Sequence, residues 1–130
     1  MNLSFYYCDV CGKVIAVPED TGVPTECCGQ PMEELLPNRR DGDADKHVPV
    51  FERRGSTCHV QIGQAPHPMT DAHGIRWIGV STSDAFLYKE LTPGGRPEAD
   101  FFLGPEDEIE AVYAYCNLHG LWCLRKEVKG

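Results

Sequence analysis

Long apolar runs and a surplus of positive charge are both missing from this sequence. No apolar run in the 130 residues approaches the roughly 18 that a membrane-spanning helix needs, so we predict no membrane span. No charged and apolar segment of the secretory type opens the chain, which favours a cytoplasmic protein. The 20 acidic residues outnumber the 12 basic ones, giving a formal net charge of −8. Because phosphate contacts need a surplus of Lys and Arg, this balance argues against a sequence-independent nucleic-acid binder.

Cysteine, by contrast, is abundant, with seven copies in the chain. A reducing compartment disfavours disulfides, and an odd number of cysteines cannot all pair with one another. Clustered cysteines in a cytoplasmic protein more often bind a metal ion. Four of them form two close groups near the start of the chain, Cys8-x-x-Cys11 and the adjacent pair Cys27-Cys28. These four are therefore the first candidate metal ligands.

The spacing of these four cysteines predicts a tetrahedral thiolate site. A two-residue turn brings Cys8 and Cys11 to one ion, and Cys27 and Cys28 supply two more sulfurs. Adjacent side chains in an extended strand point in opposite directions, so the backbone must bend at the pair if both bind one ion. Four thiolates suit iron, which would make an electron carrier, or zinc, which would make a structural clip. Two buried disulfides or free core cysteines are the alternatives.

Composition divides the chain into three regions. Residues 1–36 contain the four cysteines but too few apolar residues for a core, which predicts a small domain held together by its metal. Residues 37–46 are polar and lack periodicity, which is typical of a linker. Residues 47–130 contain short apolar runs separated by turn residues, which predicts an all-β sandwich.

Alternation and turn signals define the strands of this predicted sandwich. Cys58, Val60 and Ile62 alternate with polar neighbours, which predicts a strand with one buried face. Pro49 has no backbone N–H to donate, which predicts that it lies either on an edge strand or at the first position of a strand. Residues 106–109 are predicted to form one helical turn. The other predicted strands are 5–7, 14–17, 75–80, 86–91, 101–103, 111–115 and 121–128.

A second set of potential metal ligands lies at turns and strand ends, where binding residues gather on rigid β scaffolds. The set is His47, His67, His73, Cys116 and His119. Each residue alone has an ordinary structural explanation, so spacing leaves open whether the five share one site. If they converge, they exceed the four ligands usual for zinc. Four nitrogens in a plane with one axial sulfur would suit iron and leave one face open to a small molecule, as in thiolate-ligated haem.

Several longer motifs follow one another along the chain. In order they are Cys8-x-x-Cys11 with Cys27-Cys28-Gly29-x-Pro31-Met32, Lys46-His47-Val48-Pro49-Val50, Pro66-His67-Pro68-Met69 with His73, Ile75-x-Trp77-Ile78, and Tyr115-Cys116-Asn117-Leu118-His119-Gly120-Leu121-Trp122. Together they resemble the desulfoferrodoxin family, the two-iron-site form of superoxide reductase. The resemblance covers nearly the whole chain. It implies a small N-terminal desulforedoxin-like (rubredoxin-like) domain with four-cysteine iron, followed by an immunoglobulin-like β-sandwich or barrel with a catalytic iron.

The resemblance also implies an activity, the one-electron reduction of superoxide to hydrogen peroxide, a detoxification under oxidative stress. The four histidines would surround the catalytic iron, His119 through Nδ1 and the others through Nε2, with Cys116 as the axial ligand. Lys46 matches a family lysine beside the open sixth position, where its ammonium attracts the anion and orients a water for proton delivery. The family implies an electron donor such as rubredoxin and a homodimer.

Three positions depart from the family pattern. Asp45 stands where the family commonly has glutamate, whose carboxylate occupies the sixth position of ferric iron, and the shorter side chain leaves that role of Asp45 open. Gly74 and Gly79 replace larger residues beside His73 and after Trp77-Ile78. We expect both glycines to widen solvent access to the site.

Two other classes of protein remain alternatives. One is an iron electron-transfer protein without superoxide chemistry, in which no small molecule binds the second metal. The other is a zinc-stabilised interaction module, the ordinary role of a Cys-x-x-Cys clip. Colour separates them, because four-thiolate ferric iron absorbs visible light and zinc does not.

Overall fold

The computed structural model describes residues 3–39, 44–63 and 67–125, excepting the side chains of Ala44 and Asp45. Within it, the chain divides into two units, residues 1–36 and residues 37–130. Each unit contains its own sheets and its own group of buried side chains. The longest described helix has four residues, so no helix in the described ranges could cross a membrane.

The first unit is built from very short strands. The strands are β1 (Ser4–Tyr7), β2 (Val14–Val17), β3 (Glu26–Cys27), β4 (Gln30–Pro31) and β5 (Glu33–Glu34). Strand β1 pairs with β2 and β5 in an antiparallel sheet, and β3 pairs with β4. The buried apolar side chains of this unit are few: Phe5, Cys8, Met32 and Leu35. So small a core agrees with the prediction that a metal must supply part of the stability.

The second unit is a β-sandwich, which confirms the predicted all-β class. Its elements are α1 (Ala44–His47), β6 (Pro49–Arg54), β7 (Thr57–Ile62), β8 (Ile75–Thr82), β9 (Phe86–Glu90), β10 (Glu98–Phe102), β11 (Ile109–Cys116) and β12 (Gly120–Arg125). One sheet has the strand order β10-β7-β6 and the other has the order β12-β11-β8-β9, with antiparallel pairs throughout.

The core lies between these two sheets and follows the alternation read from the sequence. Cys58, Val60 and Ile62 of β7 are fully buried, as predicted, and pack in one cluster with Val80 and Val112 of the facing sheet. The strand that starts at Pro49 is an edge strand, also as predicted. A proline fits there because it donates no ladder hydrogen bond.

The sequence prediction was wrong at residues 106–109. The chain turns at residues 105–106 and then runs through 107 and 108 into β11. Asp107 closes the turn, since its carboxylate accepts the Gly104 N–H at 2.7 Å and its own N–H donates to the Gly104 carbonyl at 3.1 Å. Ile109 is only 4% exposed and already belongs to the strand. Strand β12 ends at Arg125, and the remainder of its predicted span lies outside the described residues.

The region predicted as a linker, residues 37–46, is ordered at both of its described ends. Asn38 bonds to strand β12, since its side-chain amide donates to the Cys123 carbonyl at 3.1 Å and accepts the Cys123 N–H at 3.0 Å. Residues 44–46 belong to α1, which ends at the ligand candidate His47. Residues 40–43 lie outside the described part of the chain.

Candidate metal centres

The four N-terminal cysteines converge, and their sulfur atoms all lie within 4.8 Å of one another. The Cys27 sulfur is 3.7 Å from that of Cys11 and 4.0 Å from that of Cys28. Four thiolates around one ion at a metal–sulfur distance of about 2.3 Å would be separated by about 3.8 Å. The spacing of the sulfur atoms therefore fits one metal ion with tetrahedral coordination.

The backbone bends between Cys27 and Cys28, as the sequence analysis requires. Cys28 has a φ of 53°, in the left-handed region that non-glycine residues seldom adopt, and Gly29 follows with a φ of 76°. The left-handed step turns both neighbouring thiols to the same side. At the other end of the cluster, backbone N–H groups of Cys11 and Val10 help to lower the pKa of the Cys8 thiol to about 7. Hydrogen bonds from the Cys27 thiol to its neighbours Cys8 and Cys11 raise the pKa of Cys27 to about 12, so a bound cation is needed to keep all four ionised.

The second candidate set also forms one site, which settles the question that spacing left open. Its ligand atoms lie within 4.8 Å of one another. The five residues come from the end of α1, the segments before β8, the end of β11 and the turn into β12. His47, His67 and Cys116 are buried and the other two are half-buried, so the cluster reaches toward solvent on one side. The members are His47, His67, His73, Cys116 and His119.

The four imidazole rings are arranged as a square. Neighbouring ring centroids are 4.5 to 4.8 Å apart and nearly perpendicular, with interplanar angles of 77° to 87°. His47 and His73 stand at opposite corners, 6.3 Å apart and nearly parallel. A tetrahedral arrangement would make all the separations similar. The longer diagonal therefore indicates an equatorial plane of nitrogen ligands.

Distances between nitrogen atoms agree with that plane. His47 Nε2 is 2.9 Å from both His67 Nε2 and His119 Nδ1. Two adjacent nitrogens on one ion, each about 2.1 Å from it, would be about 3.0 Å apart in a square and about 3.4 Å apart in a tetrahedron. His73 Nε2 is buried without a hydrogen-bond partner among the described residues. A buried nitrogen without a hydrogen-bond partner, at the fourth corner of the square, is suited to binding a metal ion.

The sulfur of Cys116 lies against this square. It is 3.9 Å from His119 Nδ1 and accepts the His119 backbone N–H at 3.4 Å. Burial raises the pKa of the Cys116 thiol, while N–H groups of His119 and Leu118 act in the opposite direction. A cation on the imidazoles would complete the stabilisation of the thiolate. Four nitrogens and one thiolate suit iron more than zinc, which usually takes four ligands.

Groups behind the ligands fix their orientation and protonation. His67 Nδ1 donates to the Pro68 carbonyl at 2.6 Å, which leaves Nε2 as the free acceptor for a metal. Burial lowers the pKa of His67 to about 4, so its ring is neutral at pH 7. The His47 ring stacks on Trp122 with centroids 4.9 Å apart. Trp122 Nε1 in turn donates to the His119 carbonyl at 3.1 Å.

Asn117 joins the two loops that carry His73 and His119. Its side-chain oxygen accepts the Gly74 N–H at 2.9 Å, and its side-chain nitrogen donates to the Asp71 and Ala72 carbonyls, both at 3.2 Å. Sequence reasoning missed this role. An asparagine between two ligand residues in a tight turn was the available signal, because amide side chains commonly bond to nearby backbone.

Three further expectations about the surroundings of the site have different outcomes. Gly74 and Gly79 do not open the site to solvent. Both are buried, and a Cβ would lie 2.8 Å from the Thr70 carbonyl oxygen at Gly74 and 2.5 Å from the Phe86 ring at Gly79. The expectation of wider access was therefore wrong.

Lys46 is exposed. Burial lowers the pKa of His73, and the charges of His119 and then Lys46 lower it further. The Asp45 side chain lies outside what the structure describes.

Gly63 holds the helix end that carries Lys46 and His47. It has a φ of 76°, and a Cβ placed there would lie 2.6 Å from three backbone atoms of Lys46. Its N–H donates to the Val48 carbonyl at 3.1 Å. Only glycine permits both the left-handed backbone and this approach. The position of His47 in the square thus depends on Gly63.

Comparisons with known proteins cover almost all of the chain. The Desulfoferrodoxin family matches residues 39–125, and the family described as Desulfoferrodoxin, N-terminal domain, matches residues 2–35. A desulfoferrodoxin homolog of Methanothermobacter thermautotrophicus is 42% identical over 117 residues, covering 90% of this chain and 94% of that protein. A desulfoferrodoxin homolog of Archaeoglobus fulgidus is 40% identical over 120 residues, covering 92% and 94%. The crystal structure of the superoxide reductase from Treponema pallidum matches with a TM-score of 0.82 and 30% identity, covering 96% of this chain and 100% of that one.

Proposed function

Because the chain belongs to the desulfoferrodoxin family, we propose that it is a superoxide reductase, which converts superoxide to hydrogen peroxide without releasing oxygen. The square of four imidazoles with a buried thiol against it supports this activity. We propose iron at this cluster and iron or zinc at the four-cysteine cluster. The proposal includes a donor of the rubredoxin type, a cytoplasmic location and a homodimer. We also propose a division of the chain into a metal-binding domain (1–36), a linker (37–46) and a catalytic domain (47–130).

When bound, ferrous iron supplies one electron and a coordination position for superoxide. The Cys116 thiolate would donate electron density to an iron held by the imidazoles and so favour its oxidation. Burial favours the neutral form of two of the imidazoles, because it lowers the pKa of His67 to about 4 and also lowers the pKa of His73. Neutral imidazole ligands would leave the Cys116 thiolate as the only negatively charged ligand of the five. A site with so little negative charge can still bind superoxide, which is itself an anion.

Lys46 provides the positive charge at the entrance. The chain has a formal net charge of −8, which repels an anionic substrate at long range. An exposed ammonium whose charge reaches His73 makes the potential at the site more positive, which raises the rate of encounter with an anion. The same group can hold a water that delivers the proton to the product. Asp45 precedes it in α1, and its role as a carboxylate ligand of the ferric state remains a prediction.

The stoichiometry of the reaction tests the proposed function. Iron-loaded protein with excess reductant should yield one hydrogen peroxide for each superoxide consumed, with no oxygen released by the enzyme. A dismutase would yield one peroxide for every two superoxide ions, together with oxygen. An electron-transfer protein would leave superoxide decay at its spontaneous rate. Pulse radiolysis with peroxide and oxygen assays distinguishes these three results.

Replacement of Lys46 by alanine should slow the second-order reaction with superoxide and flatten its dependence on ionic strength, because a steering charge is lost. Stopped-flow measurements over a series of salt concentrations check this. Arg54→Ala is the matched control, since it removes one exposed positive charge from the far end of β6. An equal change of slope in both variants would assign the effect to net charge and exclude Lys46 from steering.

Replacement of Cys27 by serine should release the metal of the first cluster and leave superoxide reduction by the second cluster largely intact. The prediction follows because a serine hydroxyl stays protonated and is a poor replacement for one of four thiolates. Metal analysis and stopped-flow kinetics on one preparation measure both properties. A collapse of peroxide production while the second metal stays bound would show that catalysis depends on the first cluster.

A further inference from the structure

A chain of aromatic rings leads away from Cys116 along the four-stranded sheet. Val80, Val112 and Cys116 face the core of the sandwich. Because side chains alternate along a strand, Tyr115 and Trp77 lie on the opposite face, directly paired in the β11–β8 register. Tyr115 is also the covalent neighbour of Cys116. The link between the thiolate and the aromatic face is therefore the backbone that joins Cys116 to Tyr115, whose ring lies on the opposite side of the sheet from the Cys116 sulfur.

Ring contacts continue from there to the surface. The rings of Tyr115 and Trp77 stack at 5.9 Å with an interplanar angle of 17°, and the Trp77 ring is 5.6 Å from that of Tyr88. Both separations are within the range of direct ring contact. Tyr115 is 8% exposed and Trp77 is 7% exposed, whereas Tyr88 is 55% exposed. The three rings thus connect a buried starting point to solvent in two short steps.

These side chains are chemically suited to carry oxidising equivalents. Indole and phenol rings lose one electron more readily than aliphatic, amide or carboxylate groups. A buried tryptophan can pass the resulting electron deficiency to a neighbouring ring. An exposed tyrosine can then release its phenolic proton to water, which makes the last step favourable. Partial burial and then the charge of Glu90, on the same face of β9, raise the pKa of the Tyr88 phenol. The same negative charge favours positive charge on the Tyr88 ring.

We propose that Tyr115, Trp77 and Tyr88 form an escape path that moves an oxidising equivalent from the Cys116 side of the metal centre to the protein surface. The path rests on the proposed function, because the oxidant is hydrogen peroxide, the product of that reaction. Peroxide accepts two electrons and two protons to become two waters. Ferrous iron gives one electron and becomes ferric, and Tyr88 gives the other with its phenolic proton. Solvent provides the second proton, and Tyr88 is left as a neutral radical.

Protection of the ligands is the consequence of this path. Cys116 is a buried sulfur beside the place where peroxide forms, and thiolates are oxidised stepwise to products that no longer bind metal well. A radical on Tyr88 is accessible to small reductants such as ascorbate, which restore the phenol. Without a reductant, two Tyr88 radicals on different molecules couple to dityrosine. Oxidation is thereby moved from the candidate metal ligand Cys116 to the exposed Tyr88, which binds no metal in the proposed mechanism.

The test adds hydrogen peroxide to ferrous, iron-loaded full-length protein and maps oxidation by peptide mass spectrometry and dityrosine fluorescence. Neither readout measures superoxide reduction, so the path can fail while the proposed function stands, and the reverse also holds. We expect oxidation products at Tyr88 that require bound iron. In Trp77→Phe, which keeps a ring in place but is harder to oxidise, these products should fall several-fold and oxidation of Cys116 should rise. Tyr88→Phe, at an exposed position, should increase Cys116 oxidation in the same way.

Two controls identify competing explanations. Phe102 is 75% exposed, so its hydroxylation reports radicals that diffuse through solvent. Trp122→Phe alters the other tryptophan, which stacks on His47. The proposal is overturned if Tyr88 oxidation is unchanged in Trp77→Phe, if Phe102 is oxidised as extensively as Tyr88, or if only Trp122→Phe removes the Tyr88 products.

Discussion

Serine in place of Cys116 is expected to abolish superoxide reduction. A serine hydroxyl stays protonated where a thiolate would form, so it cannot give the metal the electron density that favours electron transfer. The position is fully buried, and no water can replace the missing charge. The visible absorption that a thiolate gives with ferric iron should disappear as well. Stopped-flow decay of superoxide and the absorption spectrum, both normalised to bound iron, measure these losses.

Cys58→Ser is the control for this substitution. Cys58 is also fully buried, but it lies in the sandwich core, outside both metal clusters. The control should lose stability from a buried hydroxyl and keep the spectrum and the rate. Circular dichroism compares the folds of the two variants. Normal superoxide decay in iron-loaded Cys116→Ser would exclude the thiolate from the reaction.

Alanine in place of Gly63 is expected to release metal from the imidazole cluster. The new Cβ would lie 2.6 Å from Lys46 backbone atoms, so the end of α1 must shift and move His47 from its corner of the square. Changes behind a metal ligand typically lower affinity by about 10- to 100-fold. The left-handed backbone adds a cost of roughly 1–2 kcal/mol for a residue with a Cβ. Iron retention against a chelator and urea denaturation separate these two effects.

Gly55→Ala provides the matched comparison. Gly55 also has a positive φ, of 60°, but nothing lies within 4 Å of the position of a Cβ. It should show the backbone cost alone and retain its iron. If the two variants kept iron equally well, the contact between Gly63 and Lys46 would have no part in positioning His47.

The fold was predictable where a local pattern carries the information. Alternation at Cys58, Val60 and Ile62 was enough to identify β7 and its buried face, because one residue of slip would expose the whole set. The conformation of the segment 106–109 was not predictable in this way. Its acidic residues suggest a helix start, but Ile109 is needed in the core, and Asp107 closes a turn instead.

The two metal clusters also differ in how much of each could be predicted from local sequence patterns. The first could be inferred from spacing, because both cysteine pairs are local and only one bend has to be assumed. The second depends on segments separated by up to 72 residues, such as His47 and His119, which only the tertiary fold brings together. For these, the resemblance to a family supplied what spacing did not. The predicted solvent access at Gly74 and Gly79 was wrong for the same reason. Their contacts with Thr70 and Phe86 arise from the tertiary fold, and no sequence pattern predicts them.

The square of imidazoles has a consequence for metal choice in the cell. Zinc generally binds nitrogen and sulfur ligands more tightly than ferrous iron does, so affinity alone would fill the cluster with the wrong ion. Zinc also prefers four ligands at tetrahedral angles, and Asn117 and Gly63 hold the loops against such a rearrangement. Zinc would have to bend these loops or leave imidazoles unbound. Shape therefore supplies a discrimination against mis-metallation that the donor atoms alone do not provide.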